Sequence, residues 1–68
     1  MNNIYKIYNE TKEEFINKID RKYLPLIIND ECWPIRLRIA RRIDIKYLPL
    51  MMKDEFRPVR EEAIRRIK

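Results

Sequence analysis

Residues 19–42 and 43–66 are one unit written twice, which confines the chain to folds made by stacking a motif on itself. The first copy reads IDRKYLPLIINDECWPIRLRIARR and the second IDIKYLPLMMKDEFRPVREEAIRR, at an offset of 24 without a gap. Thirteen positions are identical, among them Asp20/Asp44, Tyr23/Tyr47, Pro25/Pro49, Asp30/Asp54, Pro34/Pro58, Arg36/Arg60 and Arg42/Arg66. Ile27/Met51, Ile28/Met52 and Ile35/Val59 are apolar exchanges. Weaker register reaches back to Phe15, Ile16 and Ile19, which stand where Ile39, Ala40 and Ile43 stand one unit later. The 68 residues read as one domain: a degenerate cap over 1–18 and repeats over 19–42 and 43–66, near the minimum for a solenoid.

Local signals assign the elements. Thr11-Lys12-Glu13-Glu14 is a capping box, so a helix starts near Lys12 and runs to about Ile19. Asp20 and Asp44 cap short turns over Arg21–Leu24 and Ile45–Leu48. Pro25 and Pro49 each remove an amide and disfavour α geometry at the preceding leucine. Each Tyr-Leu-Pro-Leu is therefore predicted as a 3₁₀ turn or a short broken helix. Pro34 and Pro58 suit the first turn of helices ending near Arg42 and Ile67. The absence of glycine argues against tight hairpins, so the class is all-α.

At about 100° per residue, Ile35, Ile39, Ile43 and Ala40 form one stripe, repeated by Val59, Ala63, Ile67 and Ile64. Leu37, Arg38, Arg41 and Arg42 fall on the opposite, solvent side. Arg36 and Arg60 lie inside the apolar stripe, where a cation requires a partner. The candidates for such structural inter-repeat pairs are Asp20, Asp44, Asp30 and Asp54.

Composition removes whole classes of chemistry. Histidine, glycine, serine and glutamine are absent, and Cys32 is the one cysteine. That leaves no zinc or cluster ligand set, no His-based acid–base pair, no serine nucleophile and no phosphate-cradling loop. The expectation is a non-enzyme with neither cofactor nor metal. No apolar run is long enough for a membrane span, no leader follows Met1, and a cytoplasmic location is expected. Cys32 reads as a hydrophobic position or helix cap, with Phe56 as its counterpart. Tyr23 and Tyr47 read as amphipathic packing, and Met51 and Met52 as core.

The unit Asp-x-x-x-x-Ile/Val-Arg, followed by Leu-Pro-Leu, resembles the leucine-rich repeat variant (LRV) family, a relative of HEAT-like helical repeats. Asp30 with Ile35-Arg36 and Asp54 with Val59-Arg60 carry the first motif. Leu24-Pro25-Leu26 and Leu48-Pro49-Leu50 carry the second. The resemblance covers residues 19–67. It implies a short right-handed superhelix of alternating α- and 3₁₀-helices, and an accessory role associated with nitrogen fixation. Family members that carry a four-cysteine iron–sulfur module differ from this chain, whose single Cys32 lies inside a repeat.

The net charge of +5 is uneven: residues 1–33 carry −1 and residues 34–68 carry +6. In the second repeat Glu61 and Glu62 stand four residues before Arg65 and Arg66, in the favourable orientation for pairing. The first repeat has Leu37 and Arg38 there, so Arg38, Arg41 and Arg42 form a face with no acid among them. Trp33 precedes that helix. Trp33, Arg38, Arg41 and Arg42 are the candidate binding residues for a partner or a polyanion. The competing reading is a solvated face, with Trp33 packed on the capping helix. The last repeat has no polar cap after it, so residues 45–67 are a candidate homodimer interface. The leading functional reading is a protein–protein interaction module, and the alternative is nucleic-acid or polyanion binding through the basic helix face.

Overall fold

A computed structural model describes residues 11–68 of the chain, and every described element is helical. Helix α1 spans Lys12–Lys18, and the 3₁₀ helix η1 spans Arg21–Ile27. Helix α2 spans Trp33–Arg42. The 3₁₀ turn η2, Ile45–Tyr47, runs into helix α3, Leu48–Met51, and helix α4 spans Arg57–Ile67. Of the cap expected over 1–18, residues 1–10 lie outside the described residues.

The starts of the helices follow from their first residues. Thr11 and Glu14 exchange the two hydrogen bonds of a capping box, Thr11 Oγ1 accepting from the Glu14 amide at 3.1 Å. Asp20 and Asp44 each accept the amide two residues on, from Lys22 and Lys46, at 3.0 Å. Asp30 and Asp54 do the same for Cys32 and Phe56, at 2.9 and 2.8 Å. These Asx turns bend the chain before α2 and α4, and Pro34 and Pro58 then occupy positions where a missing amide costs nothing.

The two proline-bearing segments differ in detail. Pro25 lies inside a continuous seven-residue 3₁₀ helix, longer than the turn expected to end at Leu24. At Pro49 the chain leaves 3₁₀ geometry after Tyr47 and makes one α turn. The 3₁₀ geometry suits a proline because fewer amides are needed per turn.

The core is a single file of apolar side chains from all the α-helices: Ile16 of α1, Ile35, Ile39 and Ala40 of α2, Leu48 and Met51 of α3, Val59 and Ala63 of α4. Leu24 of η1 and Ile43 after α2 complete it. Helix α1 packs on α2, and α2 on α4. Among the described residues no polar side chain is fully buried. Leu37, placed toward solvent by the wheel, is half-buried against this core. Cys32 corrects its reading in the other sense: it precedes α2 without a side-chain cap bond and is exposed, not packed. Met51 is buried and Met52 half-buried.

Candidate interaction surface

Two sets of polar contacts recur at the offset of 24 and join successive helices. In the first, Arg36 reaches from α2 to the turn before α4. Its Nε and Nη2 donate to Asp54 Oδ2 and Oδ1 at 2.7 and 3.2 Å, a two-pronged pair. Its Nη1 donates to Asp30 O at 2.8 Å. Both side chains are about nine-tenths enclosed. Lys12 holds the equivalent position in α1, and its Nζ lies 3.4 Å from Asp30 Oδ2. Arg60 repeats only the inner half of the pattern, Nη1 donating to Asp54 O at 2.8 Å. Asp20 and Asp44, considered as partners for these arginines, serve instead as exposed turn caps.

In the second set, an arginine from the last turn of one helix closes the end of the helix before it. Arg42 Nη1 donates to the carbonyls of Ile16 and, at 2.8 Å, Ile19. Arg66 Nη1 donates to those of Ala40 and Ile43, at 2.9 and 2.7 Å. The last carbonyls of a helix have no partner within it and carry partial negative charge, so a guanidinium there is favourable twice over.

This second set corrects the basic face. Arg42 is half-buried and engaged on carbonyls, not presented to solvent. Arg38 is brought to 4.0 Å from Glu13 Oε1 of α1, so the face does contain an acid. Arg41 remains exposed. The Trp33 ring stacks on Phe56 at a centroid distance of 4.4 Å and an interplanar angle of 18°; the packing on the capping helix expected for it falls in part on residues 1–10, outside the described residues. In α4 the pairs are Arg57–Glu61, at 2.8 Å, and Glu62–Arg65, in place of Glu61–Arg65 and Glu62–Arg66. The contact with Glu62 raises the pKa of Arg65 further.

The carboxyl group of Asp54 is held below its usual range. Its enclosure pushes its pKa up, but the Arg36 hydrogen bond, the Phe56 amide and the charges of Arg36 and Arg60 outweigh that and leave it below the usual value. The sign for folding follows directly. A carboxyl with a depressed folded pKa adds stability that is complete above its unfolded pKa, about 4, and is lost as pH falls through the folded value. Stability of the native chain should therefore be level in this contribution from about pH 6 upward and decline below about pH 4. The gap between the native chain and Asp54→Asn, measured by denaturant titration across pH, should narrow steadily in acid. A gap that stays constant down to pH 2 would show that the pair contributes nothing.

Large apolar side chains are left in water at matching positions. Leu26 is 80% exposed and its counterpart Leu50 63%, with Tyr23 and Ile45 about half exposed. Lys22 and Lys46 sit over the rings of Tyr23 and Tyr47, at 5.3 and 5.4 Å from their centroids. Sequence reading missed the two leucines as surface groups, although their identity in both repeats was the available signal. Leu50 also borders a cleft of about 500 Å³ with Ile28, Asn29, Arg36, Lys53 and Asp54. Of the polar groups lining that cleft, Arg36 and Asp54 are engaged with each other, and Asn29, Lys53 and Glu55 line it beside them.

Among the described residues there is no cluster of side chains able to hold a metal ion, and no helix is long and apolar enough to cross a membrane. Comparison with protein-family models, curated proteins and solved structures gives no match.

Proposed function

We propose that the chain is a non-enzymatic helical-repeat module, a short α/3₁₀ solenoid, that binds another protein by shape and charge. The observation that carries this reading is how the side chains are used. Of the three cations on the candidate polyanion face, Arg42 is engaged on the carbonyls of Ile16 and Ile19, Arg38 lies beside Glu13, and Arg41 alone stays exposed without a partner among the described residues. Meanwhile Leu26 and Leu50 stay in water at the same place in both repeats. Exposed apolar groups in a regular array favour a protein partner over nucleic acid, whose affinity rests on free cations along phosphates. Helical repeats use such regular surfaces for partners, and neighbour-to-neighbour contacts like those at the 24-residue offset suit that architecture. The resemblance to the LRV family, a cytoplasmic location and an accessory role near nitrogen fixation belong to the same proposal. A gene position beside nitrogenase or iron–sulfur assembly genes would support that role, and any other setting would remove it.

A salt series tests the choice between the two binding classes. Fluorescence anisotropy with a labelled 20-base DNA or RNA at about 50 mM salt should show no saturable binding at about 50 μM protein. Binding there that falls steeply by about 200 mM salt would overturn the protein-binding reading. In that event Arg41→Gln, which touches no core contact, should weaken it.

A further inference from the structure

We infer that the cleft between the two repeats receives an extended segment of a partner protein, one that lays an apolar side chain on Leu50 and sets a carboxylate against Lys53. This site rests on the protein-binding reading and gives it a partner chemistry.

The cleft has a volume of about 500 Å³, within the range of natural ligand sites. One wall is Ile28 and Asn29 of the first repeat, and the other is the end of α3 and the turn after it in the second. It is thus a feature of the junction between repeats and independent of either end of the chain. Part of its lining is used by the fold. Arg36 and Asp54 form a closed pair there, about nine-tenths enclosed. The hydrogen bond to Asp54, and after it the charges of Asp54, Glu55 and Asp30, outweigh the cost of enclosure and hold the Arg36 pKa above its usual value. Glu55 therefore acts on a cation inside the fold. Lys53 has no such counterpart: it is exposed, and among the described residues its ammonium meets no carboxylate. The Asn29 side chain is likewise exposed and makes no hydrogen bond among the described residues. Leu50 is 63% exposed in the same lining, beside half-buried Ile28 and buried Met51.

These open groups select the occupant. The carboxylates of Asp54 and Glu55 in the lining repel a phosphate backbone, so nucleic acid fits poorly. A helix has most of its amides and carbonyls bonded internally, whereas an extended segment brings both free. The side-chain amide of Asn29 offers a donor and an acceptor, the complement of a peptide unit. Leu50 takes an apolar side chain, and the ammonium of Lys53 takes a carboxylate. Alternate side chains of an extended chain point the same way, so the apolar and acidic residues of the partner stand two apart. A second copy of this chain is a worse source. Among the described residues that spacing occurs at 28–30, 52–54 and 59–61. The first two have aspartates that cap turns, and the third lies within α4.

The test uses the full ¹⁵N-labelled chain and the end-blocked peptide acetyl-Thr-Leu-Thr-Asp-Thr-amide, whose β-branched residues favour an extended backbone. Saturable NMR shifts are expected at the amides of Leu50 and Lys53 and at the side-chain amide of Asn29, with half-saturation at about 1 mM. Alanine in place of the peptide's leucine should weaken binding about tenfold. Asparagine in place of its aspartate should weaken binding about threefold. Lys53→Glu should reverse the preference, so that a peptide with lysine in place of aspartate binds better than the parent peptide. Lys53 is exposed, so this variant keeps the fold, and the peptide-side changes need no variant at all. No saturable shift at about 10 mM peptide overturns the inference, as does equal affinity for the parent, alanine and asparagine peptides. Shifts confined to Trp33, Arg38 and Arg41 also overturn it, and so does a concentration-dependent dimer that covers the cleft. A peptide failure with a clean salt series removes this inference alone. Salt-sensitive DNA or RNA binding removes the protein-binding reading beneath it.

Discussion

Asp54→Asn should cost about 3 kcal/mol of folding free energy, because it strands Arg36, an enclosed cation, without its carboxylate. A domain this small holds stability near the low end of the usual 5–15 kcal/mol, so the loss is most of it. The melting temperature should fall by about 12–24 °C, at about 4–8 °C per kcal/mol for this size. Arg36→Met should cost somewhat less, about 2 kcal/mol, since Asp54 keeps the Phe56 amide and adjoins Arg60. The double variant should lose less than the sum of the two, by about 2 kcal/mol, which is the coupling across the pair. Strict additivity would mean that the two side chains do not interact. The equivalent contact of Lys12 with Asp30 gives an internal comparison. Lys12 is about one-third exposed and its contact is longer, so Asp30→Asn should cost about 1 kcal/mol, much of it from the Cys32 turn.

How much of this was legible in the sequence depends on where the acceptor lies. The capping box at Thr11, the Asx turns at Asp20 and Asp44, and the helix starts at Pro34 and Pro58 are set by neighbours in the chain, and they match expectation. The anomaly of Arg36 was legible too, because a cation in an apolar stripe requires a partner whatever the fold. Which aspartate supplied it was not, since four stood at repeated positions and only packing selects one. Arg42 was read wrongly for a specific reason. A helical wheel places side chains relative to their own helix, whereas the acceptors of Arg42 are the carbonyls of Ile16 and Ile19 in another element. Backbone carbonyls exist at every residue and leave no mark in a sequence. The available hint was that Arg42 and Arg66 are identical and stand in the last turn of each long helix. The same limit applies to Glu13 beside Arg38 and to Phe56 under Trp33: each is a meeting of side chains from different elements, fixed by helix packing and not by spacing.

The contrast between Arg41 and Arg42 turns that reading into a measurement. Arg42→Met keeps the length and apolar stem of the side chain but removes the donors to two helix-end carbonyls. It should cost about 2 kcal/mol, given that hydrogen bonds from a charged group are the stronger kind and that both carbonyls lie partly out of water. Arg66→Met should behave alike, because Arg66 makes the same two contacts one unit later. Arg41→Met, one residue from Arg42 and exposed, should stay within about 0.5 kcal/mol of the native chain. Denaturant titration of the three variants separates the cases. Equal, small effects at all three would return Arg42 to the solvated basic face and reopen the polyanion reading. The expected ordering, with Arg42 and Arg66 costly and Arg41 silent, also sets how binding data must be taken. Lost affinity in an Arg42 variant reports a loosened helix junction unless the fold is first shown intact, so charge at this surface is tested only through Arg41 and Arg38.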